Sequence, residues 1–541
     1  MIRTYKWLVL LTILACATAY GDTPAWWTSR GVVVTGTVND YAAVNAGQVK
    51  WIASNACAEL DANLPGGAGS GVDAVIAGFS TADNYVGVNA GQLKSLAKPF
   101  YDRLIAEGYT NYYPWTTNLD DDVSYSAVNI GQVKAVFDFT LSGNADGDGL
   151  SDWWELYWFG NLAQGDTDDP DNDGVSNVYE FEHGTDPTDV AEGPVATLHV
   201  NPADTNAFAT IQAALDAATD YDIIDVADGT YTGTGNRNIE FPVVPVLLRS
   251  TNGASACVVD CESSGRGFLF DDGQGPNSIL SGFTVRNGST NAGAGIRCEE
   301  ASPTIQHSTL VGNTASYDGG GIDLIESSAV IEHCLIISNT ATEHGGGGLS
   351  FWASTDPVIR NCIIVSNSAV YGGGIYAYGI VQLTTDTFSS ASSPLFRNCL
   401  IQENSAATNG GGILATPGAE VLLESCTVVD NLAGLVGGGL HEDGGTNKNC
   451  IVYNNSNENG YHYGFGTYYH SSCTTPITNL NGTANIATDP AFVGGGDYRL
   501  TISSPCVNTG TNASWMTSAF DLDGTDRIVS GTVDMGAYEY E

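Results

Sequence analysis

Three observations predict a mainly β fold built as a parallel β-helix solenoid: a coil-length repeat, β-forming residues at fixed offsets within it, and a glycine cluster one corner further on. The segments IQHSTLVGN, IEHCLIISN, IRNCIIVSN, FRNCLIQEN, LESCTVVDN and NKNCIVYNN end in Asn313, Asn339, Asn367, Asn404, Asn431 and Asn455. LSGFTVRNG, with Gly282 and Asn287, reads as a weaker earlier copy. From Asn287 the spacings are 26, 26, 28, 37, 27 and 24 residues, and a period of this size marks units that bury their apolar faces only by stacking. Ile331, Cys334 and Ile336, or Ile359, Cys362 and Ile364, suit an interior wall, and no coil holds a long 3.6-residue period. Glycines such as Gly319 to Gly321 and Gly372 to Gly374 supply the backbone freedom of a sharp corner. The repeated Asn residues are expected to hydrogen-bond up the turn as a ladder. Cys334, Cys362, Cys399, Cys426 and Cys450 share one coil position and read as a column of buried thiols. Of the 12 cysteines, Cys257 with Cys261 and Cys473 with Cys506 are the disulfide candidates.

The beginning of the chain reads as an export signal over residues 1–19, with Arg3 and Lys6 ahead of an apolar run and Ala17-Thr18-Ala19 as a small-residue cleavage pattern. Ile13-Leu14-Ala15-Cys16 resembles a bacterial lipoprotein box, which implies a possible lipid anchor for an extracellular or cell-surface protein. No other apolar stretch reaches the roughly 20 residues of a membrane span. Across 541 residues, 18 basic side chains face 61 acidic ones, and a net charge of −43 excludes nucleic acid and anionic membranes as partners.

Residues 30–140 carry a second repeat, YAAVNAGQVKWIA, YVGVNAGQLKSLAKPFYDRL and YSAVNIGQVKAVF, beginning at Tyr41, Tyr85 and Tyr125. Asn45, Asn89 and Asn129 stand where helix N-caps belong, ahead of apolar residues at helical spacing. Gln48, Gln92 and Gln132 are expected to knit the repeats together. The motif resembles an N-x-G-Q-[LV]-K repeat found near the front of large exported bacterial proteins, which implies a docking or envelope module.

Between Asn144 and Glu192 lie 14 acidic residues and no Lys or Arg. NADGDGLSDWWE and DPDNDGVSNVYE follow the EF-hand loop rule of oxygen ligands at alternate positions, a central Gly and a closing Glu. The predicted Ca²⁺ ligands are Asn144, Asp146, Asp148, Asp152 and Glu155 with the Leu150 carbonyl, and Asp169, Asp171, Asp173, Asn177 and Glu180 with the Val175 carbonyl. Trp153, Trp154, Tyr157 and Trp158 would pack once the ion is held. The segment, residues 144–190, resembles bacterial thrombospondin type 3 repeats and dockerin-like calcium linkers, which implies a structural ion.

The solenoid proper spans residues 196–485. ATLHVNPADTNAFATIQAALDAATDYDIIDVADGTYTG, with Ile211, Leu215 and Ala218 on one helical face, resembles the opening cap of right-handed β-helix proteins, including pectin methylesterases and pectate lyases. That resemblance implies a right-handed parallel β-helix and raises a polysaccharide lyase or hydrolase as an alternative. The catalytic motifs of those enzymes are absent, and the column Gln306, Glu332, Arg360, Arg397, Glu424, Lys448 reads as a surface ion-pair ladder. Recognition is instead expected where the repeat breaks: Tyr371, Tyr376, Tyr378 and Phe388 around the long coil, and Tyr461, Tyr463, Tyr468 and Tyr469 in YHYGFGTYYH. His462 and His470 have no companions in sequence that suggest a metal. The GGGI and GGGL coils resemble polymorphic outer membrane proteins, which implies an adhesin. Residues 486–541 resemble the C-terminal part of choice-of-anchor Q proteins and are expected to cap the solenoid, with Asp521, Asp523, Asp526 and Asp534 as turn groups. The expected function is binding of a polysaccharide or other surface ligand, with a structural envelope spacer as the remaining alternative.

Overall fold

The computed structural model describes residues 42–64, 67–78, 84–106, 113–114, 127–137, 147–151, 154–155, 158–191, 193–353, 355–379, 392–442, 444–462, 467–476, 481–517 and 519–540. The chain divides into two compact units, Met1–Pro194 and Val195–Glu541. Among the described residues no helix is long and apolar enough to cross a membrane.

The first unit holds helices α1 (Ala46–Asn63), α2 (Gly69–Ala77), α3 (Ala90–Ala106), α4 (Ile130–Val136) and α5 (Asn177–His183). Each repeat starts its helix with a reciprocal capping box. Asn45 Oδ1 accepts from Gln48 N at 2.9 Å and Gln48 Oε1 from Asn45 N at 3.0 Å, and Asn89/Gln92 and Asn129/Gln132 repeat the exchange. The glutamines therefore serve their own helices rather than linking repeats. The linkage is made by backbone: Val44 N donates to Val128 O, Ala46 N to Val86 O and Val128 N to Val88 O, at 3.1, 2.8 and 2.9 Å. Each repeat thus touches both others, and Val49, Ile52, Leu93, Ala97 and Val133 are buried beneath this ring.

Among its described residues the second unit is a parallel β-solenoid with sheets of twelve, ten, nine and six strands that pair coil to coil, followed by an antiparallel pair, Phe492–Gly494 with Asp497–Leu500. One coil runs Thr304–Gln306, Thr309–Val311, Thr314–Asp318 and Ile322–Ile325 before the next begins at Val330. Ile305, Ile331, Ile359, Phe396 and Leu423 stack on one inner wall, and Leu310, Ile336, Ile364, Ile401 and Val428 on another, all fully buried. The glycine corner is sterically required: Gly319 has φ +59°, and a Cβ on Gly321 would sit 2.6 Å from Gly348 O.

The Asn ladder forms as expected. Asn339 Oδ1 accepts from both N and Nδ2 of Asn313 at 3.0 Å, and the same pair of bonds climbs through Asn367, Asn404, Asn431 and Asn455. Its base differs from the sequence alignment by one residue. Val311 pairs with Arg286, which sets Gly288 opposite Asn313, and Gly288 N donates to Asn313 Oδ1 at 2.8 Å. Asn287 instead occupies the left-handed corner, φ 57°.

The cysteine column is buried and reduced, each Sγ donating to the carbonyl two residues before it. The four disulfide candidates are also free thiols. Cys257 and Cys261 lie four residues apart along extended chain, about 13 Å at the usual rise, which no disulfide spans. Cys473 and Cys506 share a small apolar cluster with Leu500 and Met535 but remain unbridged.

Helix α6 (Ile211–Leu215) buries Ile211, Ala214 and Leu215 against the first coils, with Thr210 as its N-cap. The C-terminal segment runs along the flank rather than over the end. Asn398 Nδ2 donates to Phe520 O, Ala537 N to Thr427 Oγ1 and Gly536 N to Asn449 O, at 2.8, 3.0 and 2.7 Å. Its core is Arg527, fully buried and 3.1 Å from Glu539. Asp521 and Asp534 close turns through backbone N–H groups, as expected of them.

Candidate functional site

The nine-stranded sheet points alternate residues outward just after each glycine corner. Its register sets Arg297, Asp323, Ser350, Tyr376 and Leu414 in one outward column. Two residues further along, Glu299, Ile325 and Trp352 stack in a second column, with Tyr378 just beyond. The end of the six-stranded sheet brings Asp318, His344 and Tyr371 to the same corner.

Charges are held at the floor of this corner. Arg297 Nη1 lies 3.2 Å from Asp323 Oδ2, while Nη2 reaches Glu299 at 2.9 Å. Asp323 is buried, accepts from Ser350 Oγ at 2.5 Å, and is pushed up to about 6 by burial, with Ser350 and Arg297 pulling the other way. Asp318, also buried, accepts from Gly345 N at 2.9 Å and lies 2.7 Å from His344 Nδ1, with the Trp352 indole as a further donor. Burial raises its carboxyl above the ordinary range.

Rings form the outer layer. His344 stacks on Tyr317 with centroids 4.5 Å apart, and meets Tyr376 and Tyr371 edge-on at 5.1 and 5.7 Å. Trp352 stacks on Tyr378 at 4.2 Å. Tyr376 fits because Gly345 has no Cβ: one there would stand 2.6 Å from its ring carbon. Tyr317 is 43 % exposed, so the layer opens to solvent. With Nδ1 held by Asp318, His344 presents Nε2, which makes no hydrogen bond among the described residues. Flat apolar faces over fixed charges can stack a sugar ring, and an oriented imidazole can move a proton.

The predicted aromatic ligand residues divide. Tyr371, Tyr376 and Tyr378 converge here, but Tyr376 is 4 % exposed and belongs to the coil wall rather than to a projecting loop. Phe388 and Tyr463 lie outside the described residues. Tyr461 meets His441 edge-on, and Tyr468 is 45 % exposed beside His470. Tyr469 is not a surface ring: its strand turns it into the lumen, 0 % exposed, above Asn447. Tyr317, Trp352, His344, Asp318, Asp323 and Arg297 were not anticipated. The expected ion-pair ladder forms: Arg360 with Glu332, and Arg397 and Lys448 with Glu424, at 2.5, 2.9 and 3.6 Å.

In the first unit the second acidic loop folds around a point. Asp169, Asp171 and Asp173 each direct one oxygen to within 4.8 Å of the others'. Asn172 and Gly174 take left-handed φ of 60° and 88°, and Gly174 N and Val175 N donate to Asp169 and Asp173 at 2.9 and 2.8 Å. Glu180, on α5, is fully buried. Asp169 Oδ1, Asp171 Oδ2 and Glu180 Oε2 are buried and have no hydrogen-bond partner among the described residues. Burial first, then Asp173 and Asp171, pushes Glu180 up to about 8, and burial pushes Asp169 up to about 7. Asn177 Nδ2 donates to Gly165 O at 2.9 Å, and its Oδ1 is a further buried atom with no hydrogen-bond partner among the described residues. Three crowded carboxylates with unmet lone pairs fit a hard dication.

Asn144, Asp146 and Asp152 of the first loop lie outside the described residues, as do Trp153 and Tyr157. Asp148 Oδ1 accepts from Leu150 N at 2.9 Å, the bond Asp173 makes to Val175, and Glu155 is fully buried. Trp154 packs edge-on against Phe159 and Phe181. Asp166 and Asp168 also approach: a Cβ on Gly149 would stand 3.4 Å from Asp166 Oδ2, and one on Gly165 would stand 3.8 and 3.9 Å from Asp148 and Asp168.

Residues 248–390 match the family described as right handed beta helix region, and residues 169–190 match the bacterial TSP3 repeat. No curated protein sequence matches the chain. Among solved structures, the pectate lyase Pel9A is similar at 14 % identity and TM-score 0.36, covering 64 % of this chain and 96 % of that one. A pectin methylesterase from carrot is similar at 10 % identity and TM-score 0.26, covering 54 % and 86 %. The A-module of the Azotobacter vinelandii mannuronan C-5 epimerase AlgE4 follows at 14 % and 0.24, covering 51 % and 84 %.

Proposed function

We propose that this is an exported, calcium-binding β-solenoid of the cell surface or extracellular space that binds a polysaccharide across Tyr317, His344, Trp352 and Tyr378, as an adhesin does. The observation that carries the reading is the open layer of rings over Arg297 and His344, each paired with a buried carboxylate, Asp323 and Asp318. Ca²⁺ is assigned to Asp169, Asp171, Asp173 and Glu180 with the Val175 carbonyl, and a second ion to the loop of Asp148, Leu150 and Glu155. It supplies positive charge that lets these carboxylates ionise side by side. The unmet buried oxygens of the second loop support this.

The test is retention on a panel of acidic and neutral polysaccharides with Ca²⁺ present. Trp352→Ala removes one stacked face and is expected to weaken binding about tenfold. Retention by neither wild type nor variant would refute glycan binding and leave an envelope spacer. A second reading, a polysaccharide lyase or hydrolase, is favoured by one feature: His344 Nε2 stands clear while Asp318 fixes Nδ1. Unsaturated or reducing products released by wild type and lost in His344→Gln would establish it.

A further inference from the structure

The lumen of the solenoid changes character at its last coils. On one wall Ala377 and Ala415 are followed, in the same register, by Glu442 and His462. On the adjoining wall Phe396 and Leu423 are followed by Asn447 and Tyr469. Two apolar positions thus become four polar ones, two on each of two successive coils. Glu442, Asn447 and Tyr469 are all 0 % exposed. Asn447 Nδ2 donates to Glu442 Oε2 at 3.3 Å, and the His462 ring lies edge-on to Tyr469 with centroids 5.4 Å apart.

These side chains do not satisfy one another. Glu442 Oε1, Asn447 Oδ1, His462 Nδ1 and Tyr469 OH are buried atoms with no hydrogen-bond partner among the described residues. Every one of them can offer a lone pair. Burial, with His441 nearby, also keeps the His462 imidazole neutral, its pKa down at about 4, so one of its two nitrogens keeps a free lone pair at neutral pH. A fold that buries apolar residues along its whole column has no packing reason to place a carboxylate here.

We propose that the lumen of the last coils holds a divalent transition-metal cation between Glu442, Asn447, His462 and Tyr469. An imidazole nitrogen with a carboxylate and other oxygens matches the zinc class. Calcium and magnesium prefer shells of oxygen alone. The sequence spacing leaves His462 without companions, and the coil register supplies them. Such an ion would pin two successive coils together from within near the end of the stack, where only the short strand Asn481–Thr483 follows Tyr468–His470 on its wall.

The test uses the full chain, freed of calcium with a calcium-selective chelator and then titrated with zinc chloride by calorimetry. One zinc per chain is expected. Glu442→Gln and His462→Gln, which keep size and polarity, should each weaken it about tenfold or more, whereas Asp173→Ala should leave it unchanged. Failure of wild type to retain zinc, or retention unchanged in both variants, would overturn the proposal, the first outcome meaning that water fills the chamber. Cobalt(II) gives a second reading on the unmutated chain. Intense visible absorption of a low-coordinate site supports the assignment, and the weak spectrum of the aquated ion overturns it.

Discussion

If Ca²⁺ occupies the loop from Asp169 to Glu180, its binding must expel protons. Without the ion, Glu180 titrates at about 8 and Asp169 at about 7, against ordinary values of 4.5 and 3.8. At pH 7 Glu180 is then about nine-tenths protonated and Asp169 about half, so one Ca²⁺ should release about 1.4 protons. Release should approach about 2 at pH 6, and affinity should fall about fiftyfold between pH 7 and 6. The sign for stability follows from both pKa values being raised. The calcium-free segment is most stable below the ordinary carboxylate range and loses that stability as pH rises through about 8, and Ca²⁺ removes the loss. Calorimetry in two buffers of different ionisation enthalpy reads the proton count directly. Glu180→Gln should lower it to about 0.5 at pH 7, the share left to Asp169. Calcium binding with no proton release, or release unaffected by that substitution, would refute the assignment of the buried oxygens as ligands.

Three further outcomes follow from the packing. Asn404→Ala strands Asn367 N–H and Ile364 O, both bonded to that side chain, and should cost about 2–5 kcal/mol by urea unfolding of the solenoid. Glu539→Gln leaves the fully buried Arg527 without its closest countercharge, 3.1 Å away, and should cost about 3 kcal/mol, read as earlier detachment of the C-terminal flank in hydrogen exchange. Thiol reagents should modify none of Cys334, Cys362, Cys399, Cys426 and Cys450 in the native state and all of them in denaturant, because none is more than 2 % exposed and a reagent cannot reach the sulfurs until the coils open.

What was legible in the sequence is what every coil must repeat. An Asn whose amide bridges to the next Asn, an inward Ile, and a glycine where a Cβ would strike a carbonyl recur because each coil faces the same neighbour. The same reasoning located the helix N-caps and the ion-pair ladder through Glu332 and Glu424. It misplaced Asn287 by one position, because Gly288 stands in the ladder's first rung and only pairing with Asn313 reveals it. It misjudged Tyr469 because a tyrosine in an aromatic-rich run reads alike on either face of a strand, and one residue of register decides between solvent and lumen.

The aromatic corner escaped for the opposite reason: nothing in it repeats. Read down the residue that follows each glycine corner, the column runs Arg297, Asp323, Ser350, Tyr376, Leu414, His441, Tyr461, while the inward residue just before it stays Ile or Leu for six coils. Stacking fixes the inward residue and leaves the outward one free to differ. A solenoid therefore hides its chemistry in the positions where aligned coils disagree, and the reading that sorted residues by what recurs set those positions aside. The corner adds a second condition. Its glycines remove the Cβ atoms that would keep a ring off the wall, so Tyr376 lies against Gly345 and buried Asp318 reaches His344 on the next coil. Aligning the coils on the glycine corner rather than on the cysteine brings Asp323, Ser350 and Tyr376 into one line, and that line is where variation in charge and shape is concentrated.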